Sequence, residues 1–263
     1  MRLVSLVNDK NYMNAFLEKT EFNRIFHDFL GREWLDLRKA SQKDFAAFIA
    51  GKTDFFAKVI DGCGGAGVQQ IKLAQNADAA ALYESLIEKK MFLVEQTLVQ
   101  HERMALLNPS SINTLRITSA LKNNEVYIMY CLIRVGDGTK EVDNISGGGM
   151  YSAVDETGHI SAPAFCDKTG ASYEKHPKTG QVFEGYAVPF YEQSLTLIQK
   201  AARKVPQIRY VGWDVAITPN GPVLIEGNIV PGYDMCQNYR HRGGKGGLLP
   251  EFEAVFGKDF SDI

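Results

Sequence analysis

Two apolar, β-branched runs, residues 210–218 and 223–228, flank the tetrapeptide Pro219-Asn220-Gly221-Pro222. That arrangement predicts an antiparallel hairpin with polar residues set inside hydrophobic strands. Glu226 and Asn228 are two positions apart, so on a strand their side chains leave the same face. Asp214 joins them only in one register. A five-residue connection centred on Asn220 pairs Ile217 with Val223 and Asp214 with Glu226. A two-residue Asn220-Gly221 turn instead puts Asp214 on the opposite face, and the two prolines favour the longer loop. With that register, two carboxylates and one amide oxygen converge as hard ligands, suited to Mg²⁺ bridging substrate phosphates rather than to Zn²⁺. The competing reading, a strand whose polar face is simply wet, fits poorly with the neighbours Trp213, Val215, Leu224 and Ile225.

Composition removes other classes. Across 263 residues, 29 Lys and Arg stand against 31 Asp and Glu, so no basic excess supports a nucleic-acid binder. The longest apolar runs, such as residues 126–133, are far shorter than the ~20 residues that span a bilayer. The opening residues MRLVSLVNDK lack an apolar core of signal-peptide length. Cys63, Cys131, Cys166 and Cys236 lie far apart with no Cys-x-x-Cys pair, which reads as reduced thiols in a cytoplasmic protein.

Along the chain the expectation is an α+β protein of two lobes, 1–92 and 93–263. The first lobe predicts a helix capped at Asn8 or Asp9, a helix over 21–30 stopped by Gly31, and an extended stretch over 34–37. A helix from Ser41 to Gly51, a strand over 55–60, a helix over 78–90 and a strand over 91–98 follow. The second lobe predicts strands over 114–121 and 126–135, shorter ones over 150–154 and 159–165, and an amphipathic helix from Pro189 to about 204. The hairpin comes next, and a last helix lies near 250–256.

Three further groups carry chemistry. The strand over 55–60 carries Lys58 and runs into Asp61-Gly62-Cys63-Gly64-Gly65-Ala66-Gly67-Val68. Its glycines leave backbone N–H groups free to approach a phosphate, and Lys58 adds a point charge beside them. A flexible surface turn is the plain alternative. Gly62-x-Gly64-x-x-Gly67 also matches the dinucleotide fingerprint, which requires a helix after it; Val68, Ile71 and Ala74 permit one, with Glu84 or Glu88 as the acid. No Gly-x-x-x-x-Gly-Lys-Ser/Thr occurs, which excludes a P-loop. Arg116 and Arg134 lie on adjacent strands ahead of Asp143-Asn144 and present either planar forks to a carboxylate or phosphate, or internal ion pairs with Asp143 or Glu141. Glu95 ends an apolar strand, as an acceptor for a nucleotide's amino or hydroxyl groups or as an exposed edge charge. His101 and His176 have neither metal-ligand spacing nor a nucleophile elbow nearby, so no catalytic triad is assigned.

In order, these pieces resemble the ATP-grasp enzymes, and most closely the branch called sugar-transfer-associated ATP-grasp proteins, which is related to α-L-glutamate ligases. The resemblance rests on Asn8-Asp9-Lys10, the strand lysine and loop 58–68, LVEQ around Glu95, and QHERMALLNPSSINTLRI with EVDNISGGG. HPKTG and GWDVAIT…VLIEGN complete the series, over roughly residues 8–235. It implies two α+β lobes gripping ATP between them, without the family's usual N-terminal domain, because Lys10 leaves no room ahead of it. Lys10 and Lys58 would contact the α- and β-phosphates, the loop Asp61, Gly62, Gly64, Gly65, Gly67 and Val68 would close over them, and Glu95 would lie near adenine. Mg²⁺ would sit on Asp214, Glu226 and Asn228. Lys58, Arg116 and Arg134 would be catalytic, the arginines meeting the γ-phosphate and the acceptor carboxylate.

The activity so implied is an ATP- and Mg²⁺-dependent carboxylate–amine ligase working through an acyl phosphate, with an amino acid or a uronic-acid sugar as one substrate, in polysaccharide-related metabolism. The acceptor site would come from later loops, a glycosyltransferase partner or a second copy of the chain. Two other outcomes fit the same fold: a small-molecule kinase, and a nucleotide-binding scaffold without catalysis, which has no need of metal ligands. The dinucleotide reading leaves the hairpin and the arginines unexplained.

Overall fold

A computed structural model describes residues 2–61, 67–138, 148–242 and 247–257. The chain divides into two compact units, residues 17–98 and residues 1–16 with 99–263. It opens with α1 (Arg2–Val7), a 3₁₀ turn at Lys10–Tyr12 and α2 (Asn14–Leu17). Asp9 caps the 3₁₀ turn, its carboxylate accepting from Asn11 N at 2.9 Å.

The unit 17–98 contains α3 (Lys19–Ile25), α4 (His27–Leu30), β1 (Trp34–Asp36), α5 (Gln42–Ile49), β2 (Asp54–Lys58), β3 (Val68–Lys72), α6 (Ala79–Glu88) and β4 (Leu93–Gln96). The single helix expected over 21–30 is broken at Phe26, which leaves helical geometry while its ring stays fully buried. Gly31, with φ +57°, ends α4 as expected, in a left-handed conformation that costs glycine no Cβ clash. Ser41 and Asp44 form a reciprocal capping box on α5, and the Asp78 carboxylate caps α6 through the Ala80 and Ala81 amides.

The strands form an antiparallel sheet in the order β1-β4-β2-β3. β4 therefore lies inside the sheet, and the boundary expected near residue 92 moves to 98, because the strand after it pairs with β1 and β2. Phe45, Phe48, Phe55, Leu86 and Val94 make one buried cluster of this unit. The helix that the dinucleotide reading requires after Gly67 is absent: Val68 begins β3, which pairs with β2 in register Lys58↔Val68.

The larger unit contains α7 (Glu102–Leu107), β5 (Thr114–Lys122), β6 (Glu125–Val135), β7 (Met150–Val154), β8 (Ala164–Cys166) and β9 (Ala171–Tyr173). α8 (Tyr191–Ala201), β10 (Tyr210–Thr218), β11 (Gly221–Asn228), α9 (Tyr239–Arg242) and α10 (Leu249–Phe256) follow. Its sheet runs β11-β10-β5-β6-β7-β8-β9, antiparallel throughout. The strand expected over 159–165 is shorter, reduced to β8 and a bridge at Ile160. Leu3, Val4 and Val7 of α1 join Ala120, Tyr210, Phe252 and Phe256 in one cluster, which is why residues 1–16 belong here rather than with the sheet that follows them in sequence. No described helix is long and apolar enough to cross a membrane.

Asn8 ties this N-terminal segment down. Its amide nitrogen donates to the carbonyls of Tyr210 (2.9 Å) and Ile229 (3.2 Å), and its oxygen accepts from Tyr210 N (2.8 Å), at 3% exposure. Removing the amide strands buried backbone groups on both sides of the hairpin. Asn8→Ala should therefore lower stability by about 2–4 kcal/mol, read from the urea unfolding midpoint. An unchanged midpoint would show that the clamp contributes nothing.

Candidate functional site

The hairpin brings its three polar residues to one face, by a route different from the one the sequence suggests. The connection is only two residues long: Thr218 faces Gly221, and Pro219-Asn220 make the turn. The prolines are tolerated because β11 is an edge strand. Pairing then continues through Ile217↔Pro222, Ala216↔Val223 and Val215↔Leu224, and shifts by one residue before Asp214↔Glu226. Ile225 is the extra residue of this β-bulge. Without it Asp214 would oppose Ile225; with it Asp214 opposes Glu226 and Gly212 opposes Asn228. Directly opposed residues share a face.

Asp214 is 3% exposed, and two arginines hold it. Arg116 Nε donates to Oδ1, Arg116 Nη2 to Oδ2 at 3.0 Å, and Arg134 Nη1 to Oδ2 at 2.9 Å. Register explains the convergence, since Arg116 opposes Asp214 across β5–β10 and Thr114 opposes Arg134 across β5–β6. Burial pushes the Asp214 carboxyl up, but the two guanidiniums outweigh it and hold the group well below the usual carboxylate range. The arginines thus face an acid the sequence reading had not paired them with. Asp143 and Glu141, the partners it considered, lie outside the described residues.

Asn228 Nδ2 lies 3.5 Å from Asp214 Oδ2 and 3.4 Å from Glu226 Oε1. Two carboxylates and an amide therefore gather around one point. An amide turned end for end offers its oxygen there, so the donor set fits a hard divalent cation of the Mg²⁺ kind. Among the described residues no group of three or more His, Cys, Asp or Glu side chains is placed to hold a metal.

In the smaller unit the interior strand β4 carries Glu95, which is 3% exposed rather than an edge charge. Its Oε1 accepts from Asn23 Nδ2 and Arg32 Nη2, both at 2.7 Å, and its Oε2 from Lys58 Nζ. Burial again opposes the charge, and Arg32 and Lys58 overcome it, holding Glu95 well below the usual range. Neither Asn23 nor Arg32 was singled out in the sequence. Gly31-Arg32-Glu33, a basic residue just past a helix stop, is the one local sign.

Gly67 has φ +75°, and a Cβ there would lie 2.3 Å from Val59 Cγ2. Its carbonyl accepts from Val59 N at 2.9 Å, closing the β2–β3 hairpin below the loop. Gly62, Gly64 and Gly65 lie outside the described residues; Asp61 is exposed at their edge. Lys10 is exposed and belongs to the larger unit, where it lines an open cavity of about 560 Å³ with Asn8, Asp9, Gln207 and Arg209. Seven of the expected residues thus gather in one cluster per unit: Lys58 with Glu95, and Arg116 and Arg134 with Asp214, Glu226 and Asn228.

A family model described as sugar-transfer associated ATP-grasp matches residues 1–250. The chain belongs to this family. Among solved structures, the D-alanine–D-alanine ligase of Helicobacter pylori matches with a TM-score of 0.54 at 12% identity, over 95% of this chain and 61% of that one. The ATP-grasp ligase PsnB, in complex with a minimal precursor, matches with a TM-score of 0.53 at 14% identity, over 96% and 63%. The Staphylococcus aureus N5-carboxyaminoimidazole synthetase, complexed with ADP, gives 0.53 at 10% identity, over 86% and 48%. At these identities the likeness is one of fold. The chain spans between about half and two thirds of the length of these three proteins. No curated protein matches it by sequence.

Both buried carboxylates have folded-state pKa values below their unfolded ones, about 3.9 for Asp and 4.3 for Glu. Their contribution is therefore present above pH ~4.5 and lost as pH falls through the unfolded values toward the lower folded ones. The melting temperature should be insensitive to these two groups between about pH 8 and 5.5 and fall steeply below about pH 4.5. Glu95→Gln should cost about 3–5 kcal/mol at neutral pH, by leaving Arg32 and Lys58 facing a neutral amide, and flatten the acid limb. Calorimetry of both proteins across pH checks this, and identical acid limbs would refute it.

Proposed function

We propose that this ATP-grasp protein is an ATP- and Mg²⁺-dependent carboxylate–amine ligase. The observation that carries the reading is the convergence of Asp214, Glu226 and Asn228 on one sheet face, with Arg116 and Arg134 fixed against Asp214. Asp214, Glu226 and Asn228 would hold the cation. Bound there, Mg²⁺ supplies charge neutralisation to the phosphate oxygens of the nucleotide.

The chemistry needs no side-chain nucleophile. A substrate carboxylate oxygen attacks the γ-phosphorus, and the bond to the β–γ bridging oxygen breaks, giving an acyl phosphate and ADP. An amine then attacks the acyl carbon; inorganic phosphate leaves, a proton is released, and an amide remains. Catalysis of this kind is mostly positioning and electrostatic stabilisation.

In this reading Arg116 and Arg134, each tethered through Asp214 and so ordered in advance, would meet charge developing on the transferred phosphoryl group. Lys58, held by Glu95 and 16% exposed, presents an ammonium to the nucleotide phosphates beside the glycine loop. Lys10, Asp61, Gly62, Gly64, Gly65, Gly67 and Val68 complete the phosphate contacts in this reading, and Glu95 orients Lys58 near the adenine end. A glycan-related setting rests on the family's association with sugar transfer.

Asp214 and Glu226 differ as test positions. Asp214→Asn weakens the hold on two guanidiniums and so disturbs the sheet as well as the cation site. Glu226 is exposed, and Glu226→Gln alters the donor set with little effect on packing. The Glu226→Gln protein should melt within a few degrees of the parent and lose at least about 100-fold in ADP formation, by analogy with loss of one preorganised electrostatic contact.

The test of the reaction is ³¹P NMR with ATP, Mg²⁺, amino acids and uronic acids. ADP and phosphate formed only when a carboxylate and an amine are both present support the ligase. A new phosphoester resonance assigns a kinase instead, and full activity in Glu226→Gln removes it from the metal set.

A further inference from the structure

One oxygen of the larger unit, Asp214 Oδ2, faces two competing demands. Asp214 Oδ1 accepts from Arg116 Nε, while Oδ2 accepts from Arg116 Nη2 at 3.0 Å and from Arg134 Nη1 at 2.9 Å. A carboxylate oxygen offers about two acceptor positions, so the arginines fill Oδ2. The same oxygen also faces the rest of the donor set. Asn228 Nδ2 lies 3.5 Å from it and 3.4 Å from Glu226 Oε1, and the Glu226 carboxyl is within hydrogen-bonding reach of Asp214. A cation held by Asp214, Glu226 and Asn228 needs a lone pair of Oδ2, and one N–H must give it up.

The two arginines are not equally able to leave. Arg116 grips both oxygens of Asp214 as a fork, in which two parallel bonds fix position as well as charge. It stands within β5, between β10 and β6. Its stem is packed against the neighbouring strand, since a Cβ built on Gly212 would lie 3.2 Å from Arg116 Cδ. Arg134 reaches Asp214 through one nitrogen and one oxygen. It stands one residue from the end of β6, and its side chain is the more exposed, 13% against 9%.

Charge points the same way. Among Asp214, Glu226, Arg116 and Arg134 the formal charges cancel. A divalent cation added to that set leaves an excess of positive charge, and a guanidinium released beside it is a planar fork for a phosphate or a carboxylate.

We infer that Arg134 is an exchangeable arm. The cation takes its place on Asp214 Oδ2, Arg116 stays, and the freed Arg134 guanidinium binds the anionic group of the substrate. The site then loads in order, cation before anion, and each raises the affinity for the other. The inference rests on the cation set of the proposed ligase and adds which arginine moves, and when.

The test follows the arginines rather than turnover. The full chain is treated with phenylglyoxal, which modifies accessible guanidiniums, with and without Mn²⁺, and the modified residues are located by peptide mass spectrometry. Mn²⁺ stands in for Mg²⁺ as a divalent ion suited to oxygen ligands, and electron spin resonance reads its bound fraction. Saturating Mn²⁺ should speed modification of Arg134 at least about fivefold, the lower end of ordinary coupling between two ligands. The forked Arg116 should stay within about twofold of its rate without the ion. Inorganic phosphate added to the Mn²⁺-loaded protein should slow Arg134 again. Glu226→Gln should raise the Mn²⁺ concentration needed both for binding and for the Arg134 effect.

Arg134 no more reactive with Mn²⁺ bound, or Arg116 speeded as much, would overturn the exchange and leave the cation set standing. Arg134 that stays reactive in the presence of phosphate would overturn its role as an anion arm. No Mn²⁺ binding, or binding indifferent to Glu226→Gln, would overturn the cation set, the exchange and the ligase reading together.

Discussion

Asp214 carries a full charge at 3% exposure on a strand whose other residues are buried too, and an isolated carboxylate there would be protonated or expelled. What keeps it ionised is the pair of guanidiniums from β5 and β6. That requirement constrains three strands at once. β5 must lie between β10 and β6, in the register that sets Arg116 against Asp214, and β6 must place Arg134 one ladder farther on. The same ion pairs give the arginines fixed positions before any ligand arrives. Such pairs contribute little net stability when desolvation is counted, so the geometry they impose is the more informative consequence.

The smaller unit repeats the device with different parts. Glu95 is buried between Arg32 and Lys58, with Asn23 on the same oxygen as Arg32. Among these three charged groups one positive charge is in excess, and Lys58 is the more exposed of the two cations. The buried acid thus orients a lysine while cancelling only half of the local positive charge.

The hairpin shows how far sequence reasoning reaches and where it stops. Two-residue spacing places Glu226 and Asn228 together on any strand, so that part was legible. The pairing Asp214↔Glu226 was legible too, as the one register that makes the three residues useful. The mechanism of that register was not. Prolines argued for a long loop, whereas an edge strand accommodates Pro222 inside a short hairpin and a bulge at Ile225 restores the phase. A bulge has no strong signature in one sequence, because any β-branched residue can occupy it. Likewise the helix breaks at Phe26 without a glycine or proline to announce it.

Residues whose meaning depends on distant partners were the least visible. Arg32 is 63 residues from Glu95 and Asn8 is 202 from Tyr210, and no local spacing relates either pair. Asn8 read as a helix cap because asparagine before an apolar run usually is one. In the fold Asp9 caps the short turn, and Asn8 spends its amide on two backbone strands instead. The same contact moves the first sixteen residues out of the unit that follows them in sequence. A boundary inferred from texture assumes that neighbours in the chain are neighbours in space, and a single buried amide bonding across 202 residues is enough to defeat that assumption.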